Sequence, residues 1–130
     1  MHIRRISLMI RALLSSCLLV LLVSCAPTPP AGTLSVASLL SNPVYEETTV
    51  YGQISALKEL NCPCFFLTSE GKQLDVWYGL MVEDGKEQKP PVDVSAYNNG
   101  DWVVVTGELR KSTGTEPSNT FWLSKIDPLP

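Results

Sequence analysis

From Leu34 onward the chain alternates short apolar–polar runs with turn-rich gaps. In Ser35–Leu40 the apolar residues fall at 36, 39 and 40, which is helical spacing, with Ser35 placed to cap the N-terminus and Pro43 to stop the helix. Thr48–Ser55 is rich in β-formers and alternates, so it predicts a strand, with Gly52 marking a bulge or a close backbone approach. Cys64–Thr68 is the second predicted strand, Glu70-Gly71-Lys72 a turn, and Leu74–Tyr78 the third strand. Trp102–Leu109 and Phe121–Ile126 are the fourth and fifth. Between the third and fourth strands, Leu80 to Asn99 holds a charged turn at Glu83–Lys86 and a predicted short helix at Val92–Tyr97.

The front of the chain follows another rule. Residues 1–11 carry Arg4, Arg5 and Arg11 without an acid, and Ala12–Val23 is apolar. A membrane-spanning helix needs about 20 such residues, so this run has the length of a signal-peptide core instead. The next residues, Leu22-Val23-Ser24-Cys25, resemble the lipobox of bacterial lipoproteins. The resemblance implies cleavage before Cys25 and acyl chains on that residue, hence a membrane partner through lipid. It also implies a location in the cell envelope: the outer membrane where there are two membranes, otherwise the outer face of the plasma membrane. Three segments result: a leader at 1–24, the lipidated cysteine with a proline-rich tether at 25–33, and one folded domain at 34–130.

Five strands with an insertion after the third match the all-β, five-stranded Greek-key barrel called the OB-fold, with one or two short helices. Val50-Tyr51-Gly52-Gln53-Ile54 resembles the first strand of bacterial OB-fold proteins, and Gly100–Leu109 (GDWVVVTGEL) is similar to their fourth. Phe121–Ile126 resembles the closing strand. A β-sandwich is the rival architecture, but it usually needs seven strands. The barrel pattern speaks for fold and not for function, because its glycines and valines are demanded by curvature.

Composition narrows the chemistry. The chain has 130 residues, enough for one domain. From Cys25 on, seven Lys/Arg face thirteen Asp/Glu, a net charge of −6. His2 is the only histidine, so the domain has no histidine-based metal site, no Ser-His-Asp or Cys-His catalysis and no histidine pH switch. The carboxylates are dispersed, and no D-x-D-x-D-G calcium pattern occurs. No nucleophile–base pair or phosphate loop is present, and the expectation is a non-enzyme without metal or cofactor.

Two local features remain. Cys62-Pro63-Cys64 is compatible with a local disulfide or a pair of buried thiols, with a redox role, or with a soft-metal site such as Cu(I). Residues i and i+2 of a regular strand stand about 6.6–6.8 Å apart, at the edge of disulfide reach, so a bridge requires a bend at Pro63. Phe65, Phe66, Trp77 and Tyr78 lie on the second and third strands, and Phe65, Trp77 and Tyr78 form the candidate binding face. Nucleic acid is argued against as a partner by the acidic balance, because phosphate contacts need Lys and Arg. The expectation from sequence is therefore an envelope lipoprotein binding a protein or small ligand. The alternative is a thiol-redox or soft-metal protein using Cys62 and Cys64.

Overall fold

The computed structural model describes residues 27–112, 114 and 118–130. Its elements in chain order are β1 (Leu34–Ser35), α1 (Val36–Ser41), β2 (Thr48–Ser55), β3 (Cys64–Ser69), β4 (Lys72–Trp77), β5 (Met81–Glu83), β6 (Lys86–Lys89), β7 (Trp102–Leu109) and β8 (Thr120–Pro128). Five of these close on themselves. β2 pairs with β3, β3 with β4, β4 with β8, β8 with β7, and β7 returns to β2. All pairs are antiparallel except β4 and β8. Numbering the barrel strands one to five, the order is 1-2-3-5-4 and back to 1, and the fold is an all-β OB-fold barrel.

Closure depends on β2 serving two neighbours. Its first six residues register with β7 from Thr48↔Gly107 to Gln53↔Trp102, and its last three with β3 from Gln53↔Thr68 to Ser55↔Phe66. The change of partner needs a backbone approach that a side chain would block. A Cβ on Gly52 would sit 2.7 Å from Leu67 Cγ and 2.9 Å from the Thr68 carbonyl oxygen. On β7 the ladder to β8 shifts register between Thr106 and Gly107, and a Cβ on Gly107 would collide with the Trp122 carbonyl oxygen. Such bulges turn the corner of a small barrel.

Strand alternation then fills the interior. Val50 and Ile54, Phe65 and Leu67, Leu74 and Val76, Val103 and Val105, and Phe121 and Leu123 all point inward and are buried. Removing each such side chain from water contributes about 1.5–3 kcal/mol. α1 lays Val36 and Leu39 onto this core, both fully buried. Ser35 caps it, its Oγ accepting from Ser38 N–H at 3.0 Å. Ser69 Oγ then ties the helix to the barrel, accepting from Val36 N–H at 2.8 Å and donating to the Tyr51 carbonyl at 2.7 Å.

The linker between β4 and β7 departs from expectation. Glu83–Lys86 is the tip of a two-stranded hairpin, β5–β6, instead of a bare charged turn. Val92–Tyr97 is not helical. Pro90 and Pro91 remove two backbone donors just before it, and Asp93 Oδ1 accepts from Ser95 N–H at 2.9 Å, closing a side-chain turn that competes with helix. The same exposed carboxyl is held below the ordinary aspartate range by the Ser95 backbone N–H, its hydroxyl and the charge of Lys58. Val94 still reaches the core. Among the described residues no helix is long and apolar enough to cross a membrane.

Candidate functional site

The outward side of β4 and β8 is where side chains of unlike character gather. On β4, Leu74 and Val76 face the core, so Asp75 and Trp77 face out. On β8, Phe121 and Leu123 face the core, so Thr120 and Trp122 face out. The parallel register pairs Asp75 with Thr120 and Trp77 with Trp122, and the two indoles come to lie on adjacent strands. Across the other edge of β4, Phe66 is opposite Asp75. Hairpin β5–β6 borders this face. Trp77, Leu80, Met81, Val82, Thr120 and Trp122 line a groove of about 260 Å³. Met81 is buried beneath it, while Leu80 is 50% and Val82 52% exposed.

Cations fasten the hairpin here. Arg110 lies with Cζ 3.6 Å from the Trp122 ring centroid and its Nη2 2.9 Å from Glu83 Oε2. Lys89 Nζ lies 3.3 Å from Glu108 Oε1 and donates to Ser124 Oγ at 2.6 Å. Lys111 stands over Tyr45, 5.4 Å from its centroid, at the mouth of a second hollow of about 350 Å³. The partly exposed Arg110–Glu83 pair contributes up to about 1 kcal/mol, so its effect is to position the hairpin and not to hold the fold.

Asp75 is the least satisfied group on the face. Its Oδ2 accepts from Trp77 Nε1 at 3.3 Å, a long hydrogen bond, while Oδ1 is buried and has no partner among the described residues.

The sequence-predicted residues separate. Trp77 is half-buried and on the face. Phe65 is fully buried, in phase with Leu67, and it is Phe66 that points outward. Tyr78 is half-buried and stacks on Phe65 with centroids 6.1 Å apart, packing against the core. Cys62 and Cys64 are joined in a disulfide, their Cα atoms 5.2 Å apart, closer than in a regular strand. The bend at Pro63 is held by Tyr78 N–H, which donates to the Pro63 carbonyl at 2.8 Å. Among the described residues no group of three or more His, Cys, Asp or Glu is placed to hold a metal. Cys25 and the leader lie outside the described residues. Sequence reasoning missed Trp122, Asp75 and Arg110. The signal for Trp122 was available, since it is out of phase with Phe121 and Leu123 on one strand.

No protein-family model matches this chain, and no curated protein matches it. Solved structures do. The telomere capping protein Ten1 from Saccharomyces pombe matches at 8% identity with a TM-score of 0.48, over 76% of this chain and 81% of that one. A chain of the S. pombe Stn1-Ten1 complex matches at 8% identity and 0.48, over 78% of each. At this identity the likeness concerns the fold alone. Four expectations are corrected and set aside: the membrane-anchored lipoprotein function, the envelope location, the partner set of acyl chains on Cys25 with an envelope ligand, and the argument against nucleic acid; the solved neighbours are telomere proteins, and this likeness assigns the chain no role of its own. The physical reason lies in how they were reached. A leader-like segment and a bulk charge were made to speak for a binding face, whereas the fold hosts unrelated ligands and its local charge is set by packing. Here Arg110 lies on Trp122 despite the net charge of −6.

Proposed function

We propose that this OB-fold domain is a binding module without chemistry of its own, and that it engages a partner protein through the Trp77–Trp122 face. The observation that carries the reading is the pair of outward indoles in register on β4 and β8, bordered by exposed Leu80 and Val82. Neither indole is needed to fill the barrel, which Val76, Phe121 and Leu123 already fill. Tryptophan and arginine are the residues that dominate binding energy at protein interfaces, especially beside an apolar floor such as Met81. A second reading has its own support: Phe66, Trp77 and Trp122 with Arg110 also resemble a stacking platform for single-stranded nucleic acid.

The test is a photo-crosslinking residue at Val82 in the full chain, with one at Ser38 on α1 as control. We expect a defined protein adduct from position 82 that disappears in the Trp77→Ala/Trp122→Ala variant, whose β circular dichroism stays intact. An adduct pattern indifferent to that variant, or equal from Ser38, would sink the reading. Binding of a single-stranded oligonucleotide, quenched in the same variant and with no protein adduct, would give the site to nucleic acid.

A further inference from the structure

Burying a carboxylate oxygen without a donor costs on the order of 1–3 kcal/mol or more, and in folded proteins such groups call for an explanation. Asp75 Oδ1 is that group here. Its surroundings describe what would satisfy it. The face offers indole and phenyl faces from Trp77 and Phe66, which attract cations. The carboxylate asks for N–H donors, and the folded domain as a whole is acidic. Arg110 on the same face is engaged elsewhere: its guanidinium lies on Trp122 and its charge is met by Glu83. That internal pair also shows the geometry this surface favours, a planar guanidinium laid on a half-buried indole.

Building on the partner-binding reading above, we infer that the Trp77–Trp122 face takes a basic peptide segment of its partner, with one arginine laid on Trp77 and paired with Asp75. Arginine suits the site better than lysine because its planar fork stacks on an indole and still presents two N–H groups to one carboxylate. The long Trp77 Nε1–Asp75 Oδ2 hydrogen bond is the contact that yields. The indole turns from covering the carboxylate to carrying the guanidinium, and Oδ1 gains the donor it lacks. Asp75 is thus a specificity residue, and Trp77 the platform.

The experiment titrates the full chain with a Gly/Ser-flanked peptide bearing two arginines, following tryptophan fluorescence and NMR shifts of the indole N–H groups. Matched peptides carry citrulline or lysine in place of arginine, and an oligothymidylate of similar length serves as the polyanion. We expect the arginine peptide to bind and to shift the Trp77 indole N–H. Binding should weaken at least tenfold with citrulline or with Asp75→Asn, and less with lysine. The citrulline comparison leaves the protein untouched, so it holds even where Asp75→Asn folds poorly. Equal binding of arginine and citrulline peptides, or full binding by a folded Asp75→Asn chain, overturns the inference. If Trp77→Ala/Trp122→Ala still abolishes the adduct from Val82, the face stands and only its ligand chemistry falls. Binding of the oligothymidylate and of no peptide overturns the inference in favour of nucleic acid.

Discussion

Two stretches outside the five barrel strands cover the barrel, and they do so in opposite ways. α1 spends its apolar residues inward: Val36 and Leu39 have no exposed surface, and Ser35 and Ser69 satisfy its first turn. Hairpin β5–β6 buries Met81 but leaves Val82, and Leu80 just before it, half in solvent, and it is pinned by Arg110–Glu83 and Lys89–Glu108. A cover that hides its apolar side chains stabilises the core. One that displays them next to two tryptophans is positioned for a partner, because an exposed apolar patch gains nothing until something removes it from water.

The contrast can be broken most forcefully at Leu39. Leu39→Ala should lower unfolding free energy by about 2–5 kcal/mol, as a fully buried leucine leaves a cavity; urea denaturation measures it. A loss below about 1 kcal/mol would mean that α1 is no more integral than the hairpin.

Substitution on the hairpin should behave otherwise. Leu80→Ser with Val82→Ser is expected to shift stability by no more than about 0.5 kcal/mol per site, while weakening capture of the partner through the Trp77–Trp122 face. A large fall in denaturation midpoint would show that the hairpin, too, is structural.

The smallest effect comes from the alkaline side, at one tyrosine beside α1 and one in the linker that follows the hairpin. Burial, followed by the charge of Glu70, raises the Tyr51 pKa beside α1; burial, followed by Asp127 and Asp101, raises that of Tyr97, whose hydroxyl donates to the Ile126 carbonyl at 3.2 Å. Raised folded values favour the neutral phenols in the native state. Their contribution is therefore complete below the ordinary tyrosine range near pH 10 and is lost as pH climbs through the folded values. Phenolate absorbance should show Tyr51 and Tyr97 ionising above the ordinary value, with Tyr51→Phe and Tyr97→Phe each removing its own late component. Ionisation of Tyr51 and Tyr97 at the ordinary value would contradict this.

Much of the barrel was legible beforehand because its strands obey a period of two and its helix a period near four. Val36 and Leu39 in helical spacing, Val50 and Ile54 astride Gly52, and Val103 and Val105 before Gly107 could be assigned from residue type alone. The covers were harder. Glu83–Lys86 reads as a turn in either a loop or a hairpin, and only the pairing of Val82 with Glu87 distinguishes them. Val92–Tyr97 reads as a short helix, but the two prolines before it and the Asp93 side chain favour a turn. Phe65 was assigned to the binding face, and strand phase sent it inward and Phe66 out.

Residue order by itself determined the five barrel strands, the capped helix and the glycines where chains must nearly touch, because these follow from local sterics and the burial of periodic apolar side chains. Tertiary structure alone decided that Trp77 and Trp122, 45 residues apart, lie in register, that Arg110 settles on one of them, and that Asp75 is left with an unpaired oxygen beside the other. Those relations arise from the parallel pairing of β4 with β8, a long-range contact that no periodicity within either strand encodes.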